Sequence, residues 1–416
     1  MMTGMSGEVL FLSHRVPFPP NRGDKIRSHH VLRHLAALAP VHVATFADDA
    51  GDLAQDHELA ALAASHCLIQ RRKSLVRAGL EALVRGQPVS LTAFHDLALA
   101  AYLRKVLAER PISTIYAFSG QMGQYIPANF KGRVIYDFVD VDSAKFEAYA
   151  EAGHGPRRWI DAREGRLLSA EEARLARRAD VSLLVSNEEA ALFRARLLPQ
   201  DRLECDVRAL RNGIDSSLFD RATSEPAPAM REASGPRLLF TGQMDYAPNV
   251  AAAQRAIKRL LPLIRQQFPG TTFHVVGRNP PAALRSLHGT GGTYVWGAVD
   301  DMRCYLAAAD LALVPLELAR GVQNKVLEAM AMRLPVVLTP AAATGIGGID
   351  QQHYAVGHDD AGLAEQVCTL LGDASRRRAM GSAARRFVVA SLSWQATLAP
   401  LSAMLGLPIA AARDAA

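Results

Sequence analysis

Short apolar runs rich in β-branched residues alternate with longer segments of helical spacing along most of the chain. In the first half, residues 8–13, 41–46, 67–70, 114–118, 133–139, 181–186 and 207–210 read as strands. Between them, 24–39, 95–109 and 166–179 read as helices; Val31, Leu35 and Leu38 keep i, i+4, i+7 spacing. The second half repeats the scheme, with strands expected at 237–241, 272–276, 293–296, 311–315 and 335–339. Such alternation predicts parallel sheets covered by helices on both faces, with ligands beyond the carboxyl ends of the strands. Residues 221–236, rich in Ala, Pro and Ser without periodicity, read as a linker. Each half opens on a similar strand, Val9-Leu10-Phe11-Leu12 and Leu238-Leu239-Phe240-Thr241, so two similar α/β domains facing a cleft are expected.

Composition narrows the partners. At 416 residues the chain exceeds one ordinary core. A net charge of +6 and a pI near 9.2 favour anions: nucleotides, phospholipid headgroups or nucleic acid. Aromatic residues interleaved with basic ones are sparse, which argues against nucleic acid. Cys67, Cys205, Cys304 and Cys368 are far apart, so neither a disulfide framework nor a structural zinc is expected. No secretory h-region and no span-length apolar stretch is legible, and Pro400 and Pro408 break the apolar tail. The expectation is a cytoplasmic protein, peripheral on the inner face of the cytoplasmic membrane. Two basic segments with apolar residues fit an anionic membrane surface: 71–86, and 156–166 with Arg157-Arg158-Trp159-Ile160. An ordinary solvated helix face explains them equally.

The most informative chemistry is at 314–337. A strand ends at Val314-Pro315, a loop carries Gly321, and a short helix presents Lys325 and Glu328 one turn apart. Val326, Leu327 and Met330 fall on other faces and suit the sheet. A cation in the first turn of a helix is unfavourable for the helix and makes sense if an anion binds there. A surface ion pair would give the same spacing. The loop 14–27 follows the first strand: Gly23 permits close approach to the backbone, Asp24 can cap the helix, and Arg22, Lys25 and Arg27 add positive charge. It is neither a GxGxxG fingerprint nor a P-loop. Asp137, Asp140 and Asp142 end another strand; one could orient a hydroxyl or act as a base, while Asp142 reads as a helix cap. His29, His30 and His34 share a helix and read as packing or exposed rather than metal-binding. No metal-ligand cluster is legible, so neither metal nor cofactor is expected.

In order along the chain, five stretches resemble the retaining group 1 (GT4) glycosyltransferases of the two-domain GT-B fold. They are Ala179–Glu189, Asn212-Gly213-Ile214-Asp215 with Phe219, Val295–Asp301, Ala309–Pro315, and Glu328-Ala329-Met330-Ala331 with Pro335-Val336-Val337. Residues 17–28, Met244–Val250 and Gly321–Glu328 are further similar to an exopolysaccharide subgroup associated with the PEP-CTERM/EpsH sorting system.

The resemblance implies an N-terminal acceptor domain at 1–215 with a crossover helix at 391–416, and a donor domain at 216–390. It implies a nucleoside-diphosphate sugar as donor and a glycan or lipid-linked glycan as acceptor. Glu328 matches the glutamate that holds the ribose. The family's preceding glutamate falls on Arg320, and its diphosphate-clamping Arg and Lys are replaced by Gly242-Gln243-Met244-Asp245. Lys325 and Arg320 are the candidates to supply that charge, with Asp140 at the reaction centre. Gly23, Gly242, Gln243, Arg278, Trp296, Asn324 and Gly345 complete the expected donor site, and Arg22, Lys25 and Asp137 the acceptor side. A sugar-nucleotide epimerase and a non-catalytic assembly subunit with a degenerate site, the latter motivated by Arg320, are the other readings.

Overall fold

The computed structural model describes residues 7–231, 235–319 and 321–406. The chain divides into two compact units, one of Met1–Asn212 with Thr397–Ala416, the other of Gly213–Ala396.

The first unit is built on strands β1 (Glu8–Ser13), β2 (Val41–Ala47), β3 (Ser65–Gln70), β4 (Ile112–Phe118), β5 (Arg133–Val139), β6 (Val181–Leu184) and β7 (Val207–Ala209). Among the described residues they form one parallel sheet in the order β3-β2-β1-β4-β5-β6-β7. Every residue of β1 is buried, because helices cover both faces of the sheet. That is why its sequence is a continuous apolar run rather than an alternation. The second unit repeats the plan with β8 (Arg237–Thr241), β9 (Thr272–Val276), β10 (Thr293–Gly297), β11 (Leu311–Val314), β12 (Val336–Leu338) and β13 (Ala355–Val356), ordered β10-β9-β8-β11-β12-β13. In both sheets the order reverses beside the first strand of the unit. The reversal opens a crevice at the carboxyl ends, the usual ligand position in such sheets.

The expected strands and helices are all present, their ends within three residues of expectation apart from the start of one helix. The helix expected at 166–179 is longer: it runs from Gly155 to Ala176 and includes the basic stretch around Trp159. Residues 221–231 of the expected 221–236 linker are not free. Ala227 and Met230 are buried in the second core, and Arg221 donates to the Ala307 carbonyl at 2.8 Å. The Ala- and Pro-rich composition conceals two apolar anchors. Within the first unit, the helical segment from Thr397 buries Leu398 and Leu401; just beyond it Leu405 is buried as well, its carbonyl accepting from the Thr114 hydroxyl.

Candidate functional site

In the second unit, the loops after β8 and β9 and the helix Asn324–Ala331 surround a cavity of about 510 Å³. The helix is anchored by Val326, Leu327, Ala329, Met330 and Ala331, all buried. Burying such a Val, Leu or Met side chain contributes about 1.5–3 kcal/mol each, enough to hold two charged residues against a low-dielectric wall. Lys325 and Glu328 both line the cavity, with Gly242, Gln243, Arg278 and Asn324.

The charge distribution is unusual. The Lys325 Nζ donates to Asn249 Oδ1 at 2.5 Å and sits 4.8 Å from the centre of the Phe240 ring. Burial lowers its pKa to about 8, partly offset by the charge of Glu328. Burial likewise raises Glu328 to about 7, with Lys325 opposing. The two side chains feel each other through space without forming a salt bridge. A carboxylate held in this way keeps its acceptor sites for a ligand.

The backbone around the site leaves no room for side chains. A Cβ on Gly277 would lie 1.6 Å from the Gly242 carbonyl oxygen, and one on Gly242 would lie 2.8 Å from the Asn249 amide nitrogen. The ends of β8 and β9 therefore touch, backbone to backbone. Asn249 ties them to the helix: it donates to the Gln243 carbonyl at 2.9 Å while accepting from Lys325. With its amide oxygen turned toward Arg278, Gln243 accepts from the Arg278 Nε at 2.7 Å.

Three expected donor-site members stand outside this cavity, and Gly23 is one of them, lining a cavity of the first unit instead. Trp296 is half-buried in a ring stack with His274 and Tyr294 and donates to His274 Nδ1 at 3.2 Å; Ala298, Val299 and Met302 form the apolar wall instead. Gly345 adopts φ 79° beside Val322, away from the cavity lining. Arg320 lies outside the described residues. Asn249 is not among the expected site residues; it lies in the Met244–Val250 stretch that carries the subgroup resemblance, but its role depends on two loops meeting.

In the first unit, a second cavity of about 610 Å³ is lined by His14, Arg22, Gly23, Asp140 and Lys145, among others. Here the charges are paired. Lys145 donates to Asp140 at 2.8 Å and to Asp142 at 3.2 Å, and Arg15 bridges Asp24 and Asp48. Two non-glycine residues at adjacent strand ends have positive φ, Ser119 (78°) and Val139 (69°). For β-branched Val139 that conformation costs about 1–3 kcal/mol and fixes the direction of Asp140.

Five expectations for this region are corrected. Lys25 points inward, bonded to the Phe18 carbonyl and paired with Asp52, so it offers nothing to an acceptor. Asp137 is fully buried, held by both Nε and Nη2 of Arg27 at 3.0 Å and by the Tyr116 hydroxyl at 2.6 Å. Arg27 also donates to Leu210 and Asn212, so it adds no surface charge. Asp24 does not cap the helix Gly23–Leu38; it receives Arg15 and His14 instead, and those bonds hold its carboxyl below the ordinary range against burial, which would raise it. Asp142 is likewise the first residue of its helix and a partner of Lys145, not its cap.

The fold is that of the GT-B class. Residues 235–373 match the family model described as glycosyl transferases group 1. Glycogen synthase of Mycobacterium tuberculosis is 28% identical over 284 residues, 65% of this chain and 64% of that protein. A GDP-mannose-dependent alpha-(1-6)-phosphatidylinositol monomannoside mannosyltransferase of the same species is 29% identical over 258 residues, 54% of this chain and 61% of that protein. The aligned region thus spans somewhat under two thirds of these relatives. Among solved structures, Anabaena HepE in complex with UDP superposes with TM-score 0.59 at 15% identity, covering 96% of this chain and 99% of that one. The family match lies wholly within the second unit.

Proposed function

We propose that the protein transfers a sugar from a nucleoside-diphosphate sugar to a glycan or lipid-linked glycan, with retention of anomeric configuration, in exopolysaccharide synthesis. The observation that carries the reading is the Glu328–Lys325 pair: an acceptor and a cation, each short of partners, one helical turn apart in a cavity with an apolar wall.

In this reading Glu328 accepts from the ribose hydroxyls. Lys325, the free N–H groups at the start of the helix and Arg278 stabilise the diphosphate, while the base rests on Val299 and Met302. The C–O bond at the anomeric carbon breaks first, giving an oxocarbenium-like sugar, and negative charge grows on the leaving phosphate. That phosphate takes the proton of the incoming hydroxyl on the same face, which preserves configuration. Arg22 belongs to the acceptor side, Asp140 to the reaction centre and Gly23 to the donor contacts, while Arg320 takes, in sequence, the place of the family's donor-sugar glutamate. Related proteins support the donor class: HepE was solved with UDP, and the mycobacterial mannosyltransferase is named for GDP-mannose and a phosphatidylinositol acceptor. We place the protein in the cytoplasm, peripheral on the membrane.

Incubating the purified chain with UDP-, GDP- and dTDP-sugars and glycan acceptors tests this. One donor class should be consumed with release of its nucleoside diphosphate and an unchanged anomeric configuration in the product. Absence of nucleotide binding across the panel would contradict the reading and favour a non-catalytic subunit.

A further inference from the structure

The helix Leu75–Arg85 in the first unit is packed inside out. A helix on a globular protein normally turns its large apolar side chains inward. Here Ala78 and Ala82 face the protein, while Leu75, Val76, Leu80, Leu83 and Val84 face solvent, Leu80 at 62% and Val84 at 89% exposure. The helix is well formed. Ser74 caps its start, and Gly86 ends it at φ 62°. Its outward face is therefore a property of a stable element.

Cations edge that face. Arg72, Arg77 and Arg85 are exposed; Arg77 shares Glu81 with Lys73. With Arg71 and Leu97 they line an open groove of about 1060 Å³. The fold brings the other basic segment to the same place. Arg163 donates to the Ala82 carbonyl at 2.9 Å, and Glu164 accepts from the Val89 and Ser90 amides. One turn before Arg163 stand Trp159, 62% exposed, and Ile160, preceded by the exposed Arg157 and Arg158. Two segments separated by some 70 residues in sequence are thus tied together through Arg163, and each carries exposed apolar side chains beside exposed arginines.

We infer that this face seats the protein on an anionic lipid surface. The apolar side chains would enter the headgroup–acyl boundary and the arginines would meet lipid phosphates, with Trp159 at the interface. Charge selects this occupant: a wholly apolar patch would suit a protein partner, but a rim with more exposed arginines than carboxylates suits a dense sheet of anions. Among the described residues no helix is long and apolar enough to cross a membrane, so the contact lies along the surface. The inference deepens the lipid-linked acceptor of the proposed function, yet it is measured without any turnover.

The test is co-flotation of the full chain with vesicles of phosphatidylcholine alone or mixed with phosphatidylglycerol. Binding is expected to the mixed vesicles only, and to weaken with salt. Arg72→Glu and Arg77→Glu should each weaken it at least about fivefold, the effect of one kilocalorie-scale charge contact. Leu80→Glu with Val84→Glu should remove it, while thermal unfolding and nucleotide binding stay unchanged. No binding to anionic vesicles, or equal binding by these variants, would overturn the inference. So would a concentration-dependent dimer, absent in the Leu80→Glu/Val84→Glu variant and accompanied by no vesicle binding, which would assign the face to a second copy of the chain.

Discussion

The cavities of the two units handle charge in opposite ways. In the first, Lys145 is neutralised by Asp140 and Asp142, Arg15 by Asp24 and Asp48, and the deeper Arg27 by Asp137. In the second, Lys325 and Glu328 face the same space without a salt bridge, and burial pushes both toward neutrality. Paired charges hold a structure together; a buried acid and base left short of partners are a cost to the fold that a ligand can relieve. The contrast separates scaffold from site more sharply than charge density does, because the first unit has more charged residues around its cavity.

Breaking the scaffold side should have the largest effect. Arg27→Ala leaves Asp137 buried without its cation and should destabilise the protein by about 3–5 kcal/mol in chemical denaturation. On the site side, Glu328→Gln should do the reverse to stability. The folded-state pKa of Glu328 is raised, so its favourable contribution is complete below the ordinary carboxylate pKa and is lost as pH rises through about 7. The amide should therefore stabilise the protein by about 1–2 kcal/mol at pH 8 and by nothing near pH 4.5, while weakening nucleotide binding. Differential scanning calorimetry at the two pH values checks the sign.

The same pair sets a pH window. Binding that uses ionised Glu328 and protonated Lys325 should be tightest between about 7 and about 8, falling on the acid side as Glu328 takes a proton and on the basic side as Lys325 loses one. Titrations with UDP and GDP from acid to basic pH measure this, and Glu328→Gln should flatten the acid limb. The smallest effect belongs to Lys145→Ala. Its pair with Asp140 is half exposed, so stability should change by less than about 1 kcal/mol.

Much of this was legible in the sequence, for physical reasons. Parallel strands buried on both faces must be continuous apolar runs, so β1, β4 and β8 announce themselves. Lys325 and Glu328 were legible because helical spacing fixes which residues share a face. What depends on distant partners was not. Lys25 resembled a surface cation because its partner Asp52 lies on another element, and Asp137 looked available because Arg27 and Tyr116 reach it only through the folded sheet. The contact of Gly242 with Gly277, and the tie that Asn249 makes to Lys325, arise where loops from different strands meet. The inward burial of Met230 was hidden by the Ala- and Pro-rich run around it. Arg320, the departure that most bears on donor choice, was legible only as a departure.

The most direct measurement is calorimetric titration of UDP and GDP into the wild-type chain and into Glu328→Ala and Asp140→Ala. The account predicts that one nucleotide binds the wild type, that Glu328→Ala loses at least about a hundredfold in affinity, the worth of two charge-assisted hydrogen bonds, and that Asp140→Ala binds like the wild type. Equal affinity in Glu328→Ala and the wild type, or loss confined to Asp140→Ala, would contradict it.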